Sequence, residues 1–149
     1  MSTEHQQATE QVPGSCFCGA VQFAISLPTL FCAHCHCSMC RRMHGAGYVT
    51  WIGVPYTQFQ VVSGKEHLTV HHSSDHGWRS FCNTCGSSLF CESTRHPQHI
   101  DIVLANLNGK IDRAPQAHYY FSDRVEWIEA VDDLPRFGGE SGMEPLHKN

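Results

Sequence analysis

The chain is poor in charge and has no long apolar run. Of its 149 residues only ten are Lys or Arg, against fourteen Asp and Glu, for a net charge of −4. Apart from Arg41-Arg42 the cations are scattered, so no basic stripe can neutralise a phosphate backbone and no nucleic-acid partner is expected. No stretch approaches the about twenty consecutive apolar residues of a membrane helix, and no membrane partner is expected. The polar opening, residues 1–10, lacks the apolar centre of a secretion signal, which predicts a soluble, cytoplasmic protein. No internal repeat or low-complexity tract divides the chain, and its length suffices for one domain with a real core. The expected organisation is a flexible tail over residues 1–12, a single domain over 13–137 and a second flexible, Gly-rich tail over 138–149.

What the chain does have is cysteine: nine, an odd number, grouped as C-x-C and C-x-x-C. Disulfides are rare in a reducing cytosol, so this grouping points to metal rather than a covalent framework. The densest stretch, residues 32–42, holds Cys32, Cys35, Cys37 and Cys40 together with His34 and His36. Twelve His are present, but His5 and His147 fall in the tails and His71, His72 and His76 in a polar loop region, where they read as surface residues.

Around these groups the pattern is that of antiparallel β. Val21, Phe23, Ile25 and Leu27 alternate with smaller or polar residues, a period of two that puts one face in a core. Short aromatic and β-branched runs follow over residues 48–54, 59–62, 67–72, 78–81, 87–91 and 100–104, separated by Pro55, Gly64 and the Ser73-Ser74-Asp75 cluster, with a turn at Asn106-Leu107-Asn108-Gly109. Ser38 is placed to cap a short helix over residues 39–44, which Gly45 and Gly47 would end. The fold class predicted is mainly β, zinc-stabilised antiparallel sheets with few short helices.

Zinc takes four ligands at tetrahedral corners about 2.3 Å from each sulfur, so neighbouring thiols must converge on one point. A C-x-x-C pair converges when the chain turns back, helped by a following Gly at positive φ; a C-x-C pair points both side chains to one side of an extended segment. Cys16 and Cys18 with Cys82 and Cys85 therefore make one closed, structural zinc. Such a site contributes apparent binding energy of about 10–16 kcal/mol, as much as the about 5–15 kcal/mol of a whole domain. Cys35, Cys37 and Cys40 supply three ligands for a second zinc. Its fourth position is either Cys32, which closes it, or is open to water or an exogenous thiol. His34 and His36 are further ligand candidates, although His36, between two ligating Cys in an extended segment, faces away from the metal.

The stretches Gly14-Ser15-Cys16-Phe17-Cys18-Gly19-Ala20-Val21-Gln22-Phe23, Cys35-His36-Cys37-Ser38-Met39-Cys40-Arg41-Arg42 and Arg79-Ser80-Phe81-Cys82-Asn83-Thr84-Cys85-Gly86 resemble, in order, those of the glutathione-dependent formaldehyde-activating enzyme family, which includes the CENP-V type proteins. The likeness extends through Pro115, His118 and Trp127 to Leu134-Pro135-Arg136-Phe137. It implies an Mss4-like fold, two zincs per chain, and an active-site zinc on Cys35, Cys37 and Cys40. It also implies a carbon–sulfur lyase-like activity joining glutathione to formaldehyde as S-(hydroxymethyl)glutathione. Cys32 and Cys91 depart from the family pattern.

An open three-thiolate zinc suits that chemistry. A free thiol of pKa near 8.5 is only about three per cent thiolate at neutral pH, and metal binding deprotonates it, an effect worth at most about 2 kcal/mol. Positioning a small aldehyde beside the sulfur, which can reach about 7–11 kcal/mol, must supply most of any acceleration. Arg41, Arg42, Arg79 and Lys65 are the cations that could hold the two carboxylates of glutathione. The plainer reading is that Arg41 and Arg42 offset an anionic cluster and Arg79 makes a structural contact. His44 is a candidate proton shuttle, or else a polar residue at a helix end. His118 reads as a partly buried, hydrogen-bonded histidine, and Trp51, Trp78 and Trp127 as core. Two other readings compete: a non-catalytic zinc-stabilised binding module with both sites closed, and a zinc hydrolase, which a thiolate-rich site favours least.

Overall fold

The computed structural model describes residues 10–147, so the tail expected at 1–9 and at 148–149 lies outside the described residues. Within the described residues twelve strands follow one another: β1 (Gln11–Ser15), β2 (Gln22–Ser26), β3 (Phe31–Cys35), β4 (Val49–Pro55), β5 (Phe59–Ser63), β6 (Leu68–Ser74), β7 (Gly77–Cys82), β8 (Ser88–Ser93), β9 (His99–Val103), β10 (His118–Tyr119), β11 (Phe137–Gly138) and β12 (Glu144–Pro145). Among the described residues a single α-helix, α1 (Ser38–His44), interrupts them. Strands β1, β2 and β5 form a small sheet, and a seven-stranded sheet runs in the order β10-β3-β4-β9-β8-β7-β6. Pairing is antiparallel except where β10 lies parallel on β3. Among the described residues no helix is long and apolar enough to cross a membrane.

The alternation in β2 buries Phe23 and Ile25 against the large sheet, where Cys32, Ile52, Val54, Phe90, Ile100 and Ile102 meet them. Phe23 stacks edge-on against Phe90 with ring centres 5.0 Å apart. Each such fully buried side chain contributes about 1.5–3 kcal/mol, so this shared core holds the two sheets together. The opposite face of the large sheet carries Val49, Trp51 and Val103, packed with Cys37 and Cys40. Strand β4 is thus buried on both sides, as its near-continuous apolar run requires.

Four expectations are corrected. Hydrogen-bonded structure starts before residue 13: Val12 pairs with Ile25 and is buried. It also continues past 137, because Phe137 and Gly138 pair with Pro145 and Glu144 across a hairpin. The helix is capped by the Cys37 sulfur, which accepts from the Cys40 amide, while Ser38 is already the first helical residue. Gly45 does close it, at φ 58 with its amide on the Arg41 carbonyl, the left-handed position glycine occupies without strain. Trp127, finally, is 73% exposed rather than core. A short 3-10 turn at Leu104–Asn106 leads into a bend at residues 108–109, within the turn expected at 106–109.

Candidate metal centres and the cavity beside them

The first cluster is made by two turns. Gly19 and Gly86 follow the second Cys of each pair at φ +80 and +81, letting the chain fold back, and the Gly19 and Gly86 amides donate to the carbonyls of Cys16 and Cys82. The sulfurs of Cys16, Cys18, Cys82 and Cys85 lie within 4.8 Å of one another. Cys16 to Cys18 is 3.6 Å and Cys18 to Cys82 is 3.8 Å. Two sulfurs bound to one tetrahedral zinc stand about 3.8 Å apart, so the donors fit that ion. Hydrogen bonding from Ser87 pulls the Cys85 thiol down to about 5. Phe17, between the first two ligand candidates, is 92% exposed, in keeping with a C-x-C pair whose middle residue points away.

The second cluster straddles the end of β3 and the start of α1. Cys35, Cys37 and Cys40 bring their sulfurs within 4.8 Å, with Cys40 to Cys35 at 3.4 Å. The helix cap fixes Cys37, and one helical turn carries Cys40 back over it. Contacts from Cys35 and Cys40 draw the Cys37 thiol down to about 2, while the same contacts and burial drive Cys35 up. The buried Arg79 sets a positive charge beside the three sulfurs: its Nη2 lies 3.5 Å from the Cys40 sulfur and its guanidinium 5.9 Å from the Trp51 ring.

Cys32 is absent from this group. Strand β3 is extended, so residues three apart face opposite ways: Phe31, Ala33 and Cys35 line the cavity face, and Cys32, 0% exposed, packs in the core between the sheets. Burial raises its thiol. His36 likewise turns from the cluster and meets His118, 2.8 Å between Nε2 and Nδ1, and His34 bonds Thr50 at 2.8 Å.

The three-Cys cluster forms part of the wall of a cavity of about 440 Å³. Its floor is one row across five strands, in which Arg79 pairs with Cys91, Cys91 with Asp101, Asp101 with Gly53 and Gly53 with Phe31. Gly53 is required there, since an added Cβ would overlap the Phe31 ring. Burial lifts the Cys91 thiol to about 12, leaving it protonated. His99 Nε2 lies 3.3 Å from Asp101 Oδ1, and that neighbouring carboxylate raises the affinity of His99 for a proton. Arg95 and His96 close the rim from the β8–β9 connection, with Tyr119, Tyr120 and Met143 opposite.

Of the cations named from sequence, Arg79 lines the cavity, whereas Arg41, Arg42 and Lys65 do not. Arg41 Nε instead donates to the His36 carbonyl at 3.2 Å. His44 does not line the cavity either; it packs edge-on against Trp51, and burial, then the Arg79 charge, hold it down at about 4. Trp51 is buried and lines the cavity, and Trp78 stacks on His72. Cys91, noted from sequence without a role, and Arg95, His99 and Asp101, which sequence reading missed, are the additions. The only sequence signal for the last two was the polar phase of the 99–103 alternation, opposite Ile100 and Ile102.

A mainly β domain with two thiol clusters, one tied between turns and one opening on a cavity, defines a protein able to hold metal ions at two places. Residues 11–123 match the family model described as glutathione-dependent formaldehyde-activating enzyme. The chain belongs to that family. A Halomonas elongata protein whose name assigns it provisionally to the same enzymes is 28% identical over 123 residues, 78% of each chain. An uncharacterised lyase of Schizosaccharomyces pombe is 33% identical over 100 residues, covering 61% of this chain and 66% of its own. A crystal structure of a Rhodobacter sphaeroides protein superposes with a TM-score of 0.58 at 29% identity, over 68% of this chain and 92% of the other.

Proposed function

We propose that the protein is a zinc-dependent carbon–sulfur lyase-like enzyme acting on adducts of glutathione with formaldehyde or another small aldehyde. The observation that carries this reading is that Cys35, Cys37 and Cys40 converge on the cavity while Cys32, the thiol that would complete a local four-Cys site, packs on the other face of β3. Zinc on these three residues would keep a fourth position for an exogenous thiol and hold that thiol deprotonated. The Cys16, Cys18, Cys82 and Cys85 group is the structural zinc site.

The chain's own residues supply binding and orientation. Arg79 lines the cavity and its Nε and Nη1 are buried with no hydrogen-bond partner among the described residues. A buried guanidinium with free donors is a carboxylate contact. Arg95 at the rim is placed for the second carboxylate of the tripeptide, and Arg41 and Arg42 serve charge balance and helix structure instead. In the forward direction the thiol sulfur attacks the aldehyde carbon; a carbon–sulfur bond forms, the carbonyl π bond breaks, and the oxygen takes a proton. His99, with Asp101 behind it, takes the shuttle role that His44, neutral and outside the cavity, is poorly placed to fill. The binding-module alternative required Cys32 to close the site, and its place in the core counts against that.

The test is exchange spectroscopy on glutathione and formaldehyde, following interconversion of free formaldehyde hydrate and the hydroxymethyl signal with and without the protein. Accelerated exchange that Cys37→Ser abolishes and S-methylglutathione does not support is the expected result. No acceleration, together with no zinc-dependent glutathione binding by native mass spectrometry, would overturn the reading.

A further inference from the structure

His36 is 2% exposed and His118 3% exposed, and together with Asp132 they form one chain of hydrogen bonds. Both Asp132 carboxylate oxygens lie 3.0 Å from His118 Nε2, and His118 Nδ1 lies 2.8 Å from His36 Nε2. The direction of each bond follows from chemistry. A carboxylate only accepts, so His118 donates from Nε2; a neutral His118 then offers Nδ1 as an acceptor, and His36 donates to it from Nε2. His36 Nδ1 is left as a bare lone pair, and it is the one atom of the three side chains that is buried without a partner among the described residues. Orphaned acceptors are tolerated better than orphaned N–H groups, which favours this arrangement over its reverse.

The surroundings hold the rings still. Phe121 stands edge-on to His36 with centres 5.1 Å apart, and Tyr48 flanks it at 5.1 Å. The backbone is clamped as well: His34 and His36 amides donate to the Ala117 and Tyr119 carbonyls at 2.9 Å, and the His118 amide to the Pro135 carbonyl at 2.9 Å. Asp132 itself is fixed by the Leu134 amide at 3.0 Å. It lies beyond the residues that the family model matches.

We propose that Asp132 is a positioning residue which, through His118, pins the His36 ring to one side of the chain and so keeps Cys35 and Cys37 turned to the other, toward the cavity. In an extended C-x-C segment the middle side chain and its two neighbours point opposite ways, so fixing one fixes all three. The C-terminal segment thereby sets the geometry of a cluster whose Cys all lie some ninety residues earlier, on the order of the whole sheet away in sequence. The inference rests on the proposed function in taking Cys35, Cys37 and Cys40 as the second metal site.

The experiment uses the full zinc-loaded chain and counts metal by native mass spectrometry under graded chelator, with the Cys16, Cys18, Cys82 and Cys85 site as internal reference. Asp132→Ala should release the second zinc at about tenfold lower chelator concentration, the usual scale for a supporting partner of a metal site. Release from the first site should not move, and Asp132→Asn, which keeps an acceptor for His118, should restore most of the loss. Equal weakening of both sites, or no change in either, would overturn the proposal. Imidazole nitrogen NMR of the unsubstituted protein is the second arm: His36 and His118 should both be Nε2–H tautomers, and a His36 protonated on Nδ1 would overturn it. If the unsubstituted protein bound no metal at Cys35, Cys37 and Cys40, the functional reading would fail, and the tautomer measurement would still decide the role of Asp132.

Discussion

Replacing Cys32 with Ser separates packing from ligation. The side chain is 0% exposed, sits opposite Ile52 across β3 and β4, and shares the core with Ile52 and Val54. A hydroxyl in that position has no water to bond, and burying one without a partner costs about 1–3 kcal/mol. For a chain of this length each kcal/mol lowers the melting temperature by about 2–4 °C, so a fall of about 2–12 °C is expected by thermal circular dichroism. Zinc per chain, counted on the same sample, should equal that of the unsubstituted protein. Cys37→Ser is the contrast: it removes a sulfur from the cluster and should lose one zinc. If Cys32→Ser lost one zinc while its melting temperature held, the assignment of Cys32 to the core and the open fourth position would both be wrong.

Arg79→Gln should raise the KM for glutathione about tenfold or more, the scale of a lost hydrogen bond to a charged group, with Arg79→Lys intermediate; steady-state kinetics with varied thiol checks this. His44 takes a proton near pH 6.5 when unfolded but only near 4 in the fold, where burial and then the Arg79 charge disfavour it. Between those values the unfolded chain binds more protons, so this group's contribution is present above pH 6.5 and lost as pH falls toward 4. Denaturant titrations should show a shallower acid decline in His44→Gln than in the unsubstituted protein. Stripping zinc with a strong chelator should abolish cooperative unfolding followed by far-UV circular dichroism, because Cys16 and Cys18 are joined through that site to Cys82 and Cys85; an apo-protein that melts unchanged would refute a structural role.

The strands and both thiol clusters were legible because each is written in local periodicity. Alternation in residues 21–27 gave β2, and the Gly after each Cys pair gave the turns at Gly19 and Gly86. The separation of Cys32 from Cys35 was legible only in part: Ala, His and Cys carry little strand signal, so residues 31–35 did not announce the extended backbone that sends C-x-x-C to opposite faces. The cavity floor was hidden for a different reason. That Arg79, Cys91 and Asp101 are neighbours depends on the register of three strands, which no local pattern encodes. Sequence adjacency made Arg41 and Arg42 candidate substrate contacts beside a plainer charge-balancing reading, and neither lines the cavity. The C-terminal hairpin escaped notice since its strands are two residues long, and Asp132 since its partner is His118.

The two clusters also differ in when a growing chain could complete them. The donors of one span five positions, from Cys35 to Cys40, whereas Cys18 meets Cys82 across sixty-four. Closing the longer loop costs about 2 kcal/mol more in chain entropy. A nascent polypeptide synthesised past Cys40 already owns every sulfur of the cavity cluster, while the other cannot assemble until Cys85 has emerged. The metal centre proposed to do chemistry thus owns its sulfurs first, the one proposed to hold the architecture gains its last sulfur only with Cys85, and the His118 and Asp132 that position the first cluster emerge later still.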